Sequence, residues 1–293
     1  SVSPNDVTGV NITKDEQKIT NFTVNDDQSK QVDLLYAVNK DEKRTDHEAG
    51  EKVDINFRHA LSQIIFKAKN TNENLKVIVK GVKIGNIKKS GDFTYPTIST
   101  ITQNTAEDGT IEAATQGTWD NVNTTETFSA GMNAGGVTLD GKVETAVDLT
   151  AATGSDASKS YTGALFMIPQ PLAAWDPSTT GALSPSNTGV YFLLDCQILS
   201  GTNKDIIVWP TESADTDKDG FADVAIPASN LTWDQGKKYI YTFKFGEGGG
   251  YVPGPNPDPD PTLIGIDFTV TVDDFINGFE PEDDQEVDMN IPD

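Results

Sequence analysis

The chain has 293 residues, and its 45 acidic and 22 basic side chains give a net charge of −23. This charge repels polyanions, so neither nucleic acid nor an anionic lipid surface is an expected partner. The single cysteine, Cys196, excludes an intrachain disulfide and is expected to be a buried thiol, and no apolar run approaches the ~20 residues of a membrane span.

The first 50 residues are mostly polar and contain weak strand signals at Val7–Ile12 and Ile19–Val24 and a clearer one at Gln31–Val38. They begin at Ser1, with neither an initiator methionine nor a signal peptide, which indicates a processed or truncated chain. A dibasic pair, Lys43-Arg44, lies in a charged run near the end of this region. The pair is typical of a solvated loop, and the alternative is a site for a trypsin-like protease.

Alternation of apolar and polar side chains first becomes clear at Val53–Phe57, as in a half-buried strand. The alternation changes phase near residues 60–63, and a phase change of one residue predicts a β-bulge. A second phase change, at Gly81, predicts another bulge in the next strand.

Residues 97–160 are rich in Thr, Ala, Asn and Gly and show little periodicity, so they are expected to form a long insertion with short strands. Strand patterns return after it, and no segment has a helical apolar period over three turns. The predicted strands cover Ala164–Ile168, Gly189–Leu199, Ile206–Trp209, Ala222–Ile226 and Tyr239–Phe245. The chain is therefore predicted to be all-β, with a sandwich or barrel topology.

A linker rich in proline and glycine, residues 247–262, precedes the cleanest alternating segment of the chain. Proline lacks a backbone donor and glycine lacks a restraining side chain, so we expect an extended tether rather than an interior strand. The segment beyond the linker has one apolar face, formed by Ile264, Ile266, Phe268, Val270 and Val272. Such a strand needs a partner. It either folds back into its own sheet or inserts into a neighbouring copy whose sheet lacks a strand.

One acidic stretch matches the first nine positions of a calcium-binding loop. The oxygen ligands would come from Asp215, Asp217, Asp219, Phe221 and Asp223, the phenylalanine through its backbone carbonyl. The twelfth position holds isoleucine rather than glutamate, so the bidentate ligand is missing. The stretch is therefore either a weak Ca²⁺ site or an acidic hairpin turn, and no other cofactor is expected.

No residue pattern indicates catalysis. The two histidines are expected in a solvated loop and in the core, and neither a nucleophile elbow nor a Gly-rich phosphate loop is present. Two tryptophans, Trp209 and Trp233, adjoin predicted strands and are expected in the core. Trp119 and Trp175 lie in polar stretches, where they could stack against a sugar ring.

Several runs, taken in order, resemble the fimbrillin-like family of Bacteroidales surface pili. The resemblance spans residues 31–275. The runs that carry it are Val53–Phe66, Val77–Ile87 with the turn Gly91–Phe93, Met167–Gln170, Leu231–Phe243 and Ile266–Phe275. The region before residue 53 is shorter than the usual N-terminal domain of the family, and the family's lipidated cysteine is absent.

The resemblance implies two β-sandwich domains of transthyretin-like topology, a lipoprotein precursor at the outer membrane, arginine-directed removal of an N-terminal strand, and polymerisation by donor-strand exchange. It implies neither a cofactor nor catalytic residues. On this basis we predict a partial or abbreviated N-terminal β domain at 1–50, a C-terminal β-sandwich domain at 51–246 that contains the 97–160 insertion, the linker at 247–262, and a C-terminal arm with an acidic tail at 263–293.

The predicted function is that of a structural subunit of a bacterial cell-surface fimbria that supports adhesion, with other fimbrial subunits as partners. The apolar side chains of the arm, residues 264–272, are the predicted partner-binding residues. The alternative is a lectin-like surface adhesin that binds a host glycan or a host protein.

Overall fold

A computed structural model describes residues 2–4, 6–13, 15–40, 55–100, 116–133, 135–151, 162–184, 186–187, 189–210, 216–217, 219–247, 250–252, 265–274 and 286–287. Within these residues the helical elements are one α-helix, α1 (Pro177–Thr180), and one 3₁₀ turn (Gln28–Lys30). The strands β1 to β17 are, in chain order, Val2–Ser3, Val10–Ile12, Gln17–Thr23, Leu35–Tyr36, Arg58–His59, Ser62–Asn70, Lys76–Thr94, Thr118–Ser129, Val137–Asp140, Val143–Asp148, Leu165–Met167, Tyr191–Ser200, Ile206–Trp209, Ala222–Pro227, Lys237–Phe245, Ile266–Asp274 and Glu286–Val287.

The strands form two large sheets and one small one. Sheet I has the order β13-β12-β7-β3-β2, with β14 beside β12 and with β8 and β9 beside β7. Sheet II has the order β10-β6-β15-β16-β17, with β11 beside β6. Sheet III consists of β1, β4 and β5 in that order. Among the described strands, β6 and β15 are the pair that runs parallel.

The two large sheets share one continuous hydrophobic core. In β15, the buried residues Tyr239, Tyr241, Phe243 and Phe245 alternate with residues that are only partly buried, so one face of the strand is apolar. The ring of Phe192, on β12 of sheet I, lies 4.9 Å from that of Tyr241 in sheet II. The predicted all-β fold is therefore confirmed, whereas the two-domain, transthyretin-like arrangement stays a prediction.

The long strand β7 confirms one predicted bulge. Its register with β12 shifts where Asp195 lies opposite Gly81 and the next residue, Cys196, lies opposite Val79. The bulge predicted near residues 60–63 is wrong. Residues 55–57 lie in no strand, and the side chains of Ile55 and Phe57 are exposed. The strands that follow, β5 at residues 58–59 and β6 at residues 62–70, belong to sheets III and II, so no single strand spans the change of phase.

The N-terminal residues contribute to the same core as the rest of the chain. Ile19 and Phe22 of β3 and Tyr36 of β4 are buried in that core, and β3 pairs with β7 in sheet I. Residues 97–160 contain β8, β9 and β10, and β8 has 12 residues, more than expected for an insertion with short strands. The domain boundaries stay predictions.

Several side chains predicted to be buried are buried. They are Cys196, Trp209 and Trp233, each at most 1% exposed. Burial raises the pKa of the Cys196 thiol well above its usual value, as expected for an unreactive cysteine. The dibasic pair at residues 43–44 lies outside the described residues.

Candidate functional site

The predicted C-terminal strand is β16, and it pairs with β15 of its own chain. The antiparallel pairing runs over nine residue pairs, from Ile266 opposite Phe245 to Asp274 opposite Lys237. On its other side, β16 pairs with the two-residue strand β17 at Val270 and Thr271. The intrachain alternative is thus the one seen in this single chain. Ile264, the first of the five predicted arm residues, lies outside the described residues.

The apolar face of β16 packs into the core. Ile266 and Val270 are buried, Phe268 and Val272 are partly buried, and Asp267 on the opposite face is exposed. A fully buried side chain of this kind contributes roughly 1.5–3 kcal/mol to stability. The alternation read from the sequence therefore identifies the correct face of the strand.

The ring of Phe268 completes an aromatic group that spans both sheets. Its centroid lies 5.3 Å from that of Phe192, 5.9 Å from that of Tyr241 and 6.1 Å from that of Phe243. Tilted and edge-to-face contacts at these separations are favourable for aromatic rings. The three rings belong to sheets I and II, and each of them would lose its contact with Phe268 if β16 left the core.

The two ends of the connection between β15 and β16 are hydrogen-bonded to each other, and a residue within the connection contacts a strand of sheet I. The backbone N–H of Gly246 donates to the carbonyl of Gly265 at 2.7 Å. Between them, Tyr251 forms a bridge with Ala225 of β14, in sheet I. The sequence interpretation missed this contact. The available signal was that Tyr251 and Val252 are the apolar side chains, prolines aside, between residues 246 and 262.

The acidic stretch forms a turn in which the predicted ligand atoms accept hydrogen bonds. The Oδ1 atom of Asp217 accepts from the backbone N–H groups of Asp219 and Phe221, both at 2.8 Å. These hydrogen bonds, above all the one from Phe221, hold the pKa of Asp217 below its usual value. The Phe221 carbonyl accepts from the Asp217 backbone N–H at 2.8 Å.

Asp223 lies on β14 rather than in the turn, and its Oδ2 atom is 2.9 Å from Nζ of Lys83. Asp195 lies directly opposite it on β12, and burial, followed by the charges of Asp223 and Asp217, raises the pKa of Asp195. No group of three or more potential ligand side chains is close enough to hold a metal within the described residues, and Asp215 lies outside them. The Ca²⁺ site stays a prediction.

The two tryptophans predicted to stack against sugars lie in different aromatic groups. Trp119 is on β8, where its Nε1 donates to the carbonyl of Ala60 at 2.7 Å and its ring lies 5.1 Å from that of Phe93. Trp175 is only 2% exposed and is packed between Tyr191 and Tyr251. Sugar stacking by Trp175 would require Tyr191 or Tyr251 to move, whereas Trp119 is only partly buried. The stacking role of both tryptophans stays a prediction.

The fold and the site define a β-sandwich protein whose last described long strand is attached through a proline-rich linker and completes the core. The model of the fimbrillin-like family matches residues 1–272, so the chain belongs to this family. The match extends through the N-terminal 50 residues, beyond the region in which the sequence motifs were recognised. Family membership indicates a structural protein of the cell surface rather than an enzyme.

Solved structures of Bacteroides proteins are also similar to this chain. A fimbrial protein from Bacteroides vulgatus is 14% identical, with 89% of this chain and 68% of that chain covered and a TM-score of 0.48. A candidate cell adhesion protein from Bacteroides uniformis is 14% identical, with 90% and 68% covered and a TM-score of 0.39. A search of curated proteins finds no match. In the part of the chain that the structure describes, no helix has the length and apolar character needed to cross a membrane.

Proposed function

We propose that this protein is a structural subunit of a bacterial fimbria and that copies assemble by exchanging β16. Membership of the fimbrillin-like family supports the fimbrial role. The observation that carries the exchange is the position of β16, which fills a core site beside β15 while being joined to β15 by the 20 residues 246–265. A lipoprotein precursor, anchored at the outer membrane before assembly, belongs to the same proposal.

Exchange would replace each intrachain contact by the same contact between chains. The nine residue pairs with β15 and the three ring contacts of Phe268 are reproduced when the strand comes from another copy. The free energy of pairing is therefore nearly unchanged, as in domain swapping, and protein concentration and linker geometry decide the outcome. The 20-residue connection spans at most about 70 Å when extended, which is enough to reach an adjacent subunit.

A pair of cysteines can report which β15 holds each β16. Thr242 and Thr269 lie directly opposite each other on the face of sheet II away from the core. Directly opposed residues of antiparallel strands are about 4.5–5.5 Å apart at Cα, within the range that a disulfide bridges. The native Cys196 is buried and does not compete for this bond.

The test compares the Thr242→Cys/Thr269→Cys variant as a monomer and as the polymer formed after limited digestion with a trypsin-like protease. On a non-reducing gel, the oxidised monomer should run as one chain, whereas the oxidised polymer should give a ladder that reduction collapses. A control pair at Lys76 and Leu199, which are opposed within sheet I, should give single chains in both states. A polymer whose Thr242/Thr269 variant also gives only single chains would contradict strand exchange.

A further inference from the structure

A two-residue apolar segment in the linker occupies a defined position on sheet I. The backbone N–H of Ala225 donates to the carbonyl of Tyr251 at 2.8 Å, and the N–H of Tyr251 donates to the carbonyl of Ala225 at 2.9 Å. Both bonds lie on the side of β14 that faces away from β12. Tyr251 thus acts as a short additional strand at an edge of sheet I.

The side chain of Tyr251 packs into a small aromatic cluster. Its ring lies 5.7 Å from that of Trp175 at 77°, within a small cluster that is separate from the main core. Trp175 and Tyr191 form the base of this cluster, and both are at most 3% exposed. Gly85 makes room for it, because a Cβ atom there would lie 2.1 Å from Cζ of Tyr191. We call this position, formed by the edge of β14 with Trp175 and Tyr191, the Tyr251 seat.

The sequence around Tyr251 indicates where the chain would turn if β16 left. Four of the five residues 246–250 are glycine, and Gly246 has a φ of +101°, which glycine adopts without strain. After Tyr251, every second residue from Pro253 to Pro261 is proline, which restricts φ to about −65°. Reorientation is therefore least costly before Tyr251, and an arm that turns there takes Tyr251 with it.

The distance between the Tyr251 seat and the position of β16 matches a second copy of this chain as the partner. The Tyr251 seat and the position of β16 beside β15 lie on the same subunit, and one arm fills both of them in this structure. A single exchanged arm therefore has the right length between Tyr251 and β16 to fill both positions on another subunit. A subunit that has donated its arm has an empty place beside β15, and it also has an unpaired edge and an uncovered Trp175. A second copy of this chain fits both positions at once.

We propose that Tyr251 is a second plug of the exchanged arm and that it docks in the Tyr251 seat of the subunit that receives β16. This inference rests on the proposed exchange of β16. It adds a second contact between subunits, on the opposite sheet of the sandwich, and assigns to the buried Trp175 a role in assembly rather than in sugar binding.

Photo-crosslinking from position 251 tests the proposal. Tyr251 is replaced by p-benzoyl-phenylalanine in the Thr242→Cys/Thr269→Cys background, so that both contacts are read in one polymer. The expected result is crosslinks within one chain in the monomer and between chains in the polymer. The same photoreactive residue at Leu183, which contacts the seat from a segment outside the arm, is the control and should crosslink within one chain in both states.

The outcomes separate the inference from the proposed function. A disulfide ladder together with crosslinks only within chains would show that β16 is exchanged while Tyr251 stays behind, and would overturn the inference alone. The absence of both ladders would overturn the proposed function and the inference with it. In an independent measurement, Tyr251→Ala should speed dissociation of the polymer about tenfold or more, because burial of an aromatic ring is lost, and Tyr251→Phe should stay near wild type. Equal dissociation of all three proteins would also overturn the inference.

Discussion

Two aromatic clusters within the core differ in where their rings come from. The first, the N-terminal cluster, is formed by Phe22, Tyr36, Phe93, Tyr95 and Trp119. The second, the arm cluster, is formed by Phe66, Phe192, Tyr241, Phe243 and Phe268. All rings of the N-terminal cluster come from residues 22–119, whereas one ring of the arm cluster comes from β16.

In strand exchange, the arm cluster would receive its ring from the β16 of another copy, whereas no ring of the N-terminal cluster comes from β16. Departure of β16 removes a ring from the arm cluster and leaves all five rings of the N-terminal cluster in contact. Both clusters belong to the same continuous core, and β7 connects them, because it pairs with β12 in its first half and with β3 in its second half. A subunit that retains its N-terminal 40 residues can therefore keep its N-terminal cluster while its arm is exchanged.

Alanine substitutions in the two clusters should have different effects. Phe93→Ala removes a fully buried ring that touches three others, so we expect a loss of about 3–5 kcal/mol in the free energy of unfolding of the undigested monomer. Phe268→Ala removes a partly buried ring and should cost the monomer about 2 kcal/mol. Urea unfolding of both variants measures the difference.

The assembly state provides the second half of this comparison. Phe268→Ala should also weaken the polymer, since the same ring is the donated plug, whereas Phe93→Ala should lower the stability of each subunit without loosening the contact between subunits. The separation of the two clusters would be contradicted if Phe93→Ala polymers dissociated as readily as Phe268→Ala polymers at matched distance from the unfolding midpoint.

The sequence predicts elements of this fold better than it predicts their partners. Alternation with a period of two identifies the buried face of β16, because burial on one side of a sheet imposes that period. Alternation contains no information on which strand lies alongside, so the parallel pairing of residues 62–70 with 237–245 could not be predicted.

The same limit explains the errors at the candidate site. Trp175 lies in a polar stretch, and its burial depends on Tyr191 and Tyr251, which no local pattern connects to it. The apolar pair at 251–252 is too short to give a period, so the sequence predicts an extended tether without a contact at this point. In the acidic turn, Asp217 accepts hydrogen bonds from backbone N–H groups two and four residues further along the chain. Closed turns of this kind and calcium-binding loops are rich in the same residue types, so the sequence alone does not distinguish them.

Two buried tyrosines, Tyr95 of the N-terminal cluster and Tyr239 of β15, should respond differently to removal of the hydroxyl group. Burial raises the pKa of both Tyr95 and Tyr239 to about 12. Among the described residues the Tyr95 hydroxyl has no hydrogen-bond partner, whereas that of Tyr239 donates to the Thr232 carbonyl at 3.1 Å and accepts from the Asp234 N–H at 2.7 Å. We expect Tyr95→Phe to leave stability at neutral pH unchanged or slightly higher and Tyr239→Phe to cost about 1–3 kcal/mol.

The alkaline range sharpens this comparison. An unfolded tyrosine ionises near pH 10, so between about pH 10 and 12 the unfolded chain loses protons that the folded chain keeps, and the folded state loses stability as pH rises. Tyr95→Phe should remove part of this loss, which unfolding midpoints at pH 8 and pH 11 would measure. An identical loss in wild type and variant would show that Tyr95 does not titrate with the unfolding transition.

The smallest expected effect concerns Asp92, which joins three strands of the N-terminal region. Its carboxylate accepts from the Asn21 backbone N–H at 2.9 Å and from Nδ2 of Asn121 at 2.8 Å, and it pairs with Lys18 at 3.2 Å. These contacts, in that order, lower the pKa of Asp92 to about 2. The stabilisation is therefore present above the unfolded pKa near 4 and is lost as pH falls through about 2.

Asp92→Asn keeps the shape of the side chain but offers one acceptor oxygen instead of two. The variant should be less stable than wild type at pH 7, and the gap should shrink as pH is lowered from about 4 to about 2, because the wild-type carboxylate becomes protonated in that range. Urea unfolding of both proteins at pH 7 and pH 2.5 checks this. Since Asp92 contacts no part of β16, polymer dissociation at pH 7 should not change, and faster dissociation would mean that the N-terminal region contributes to the contact between subunits.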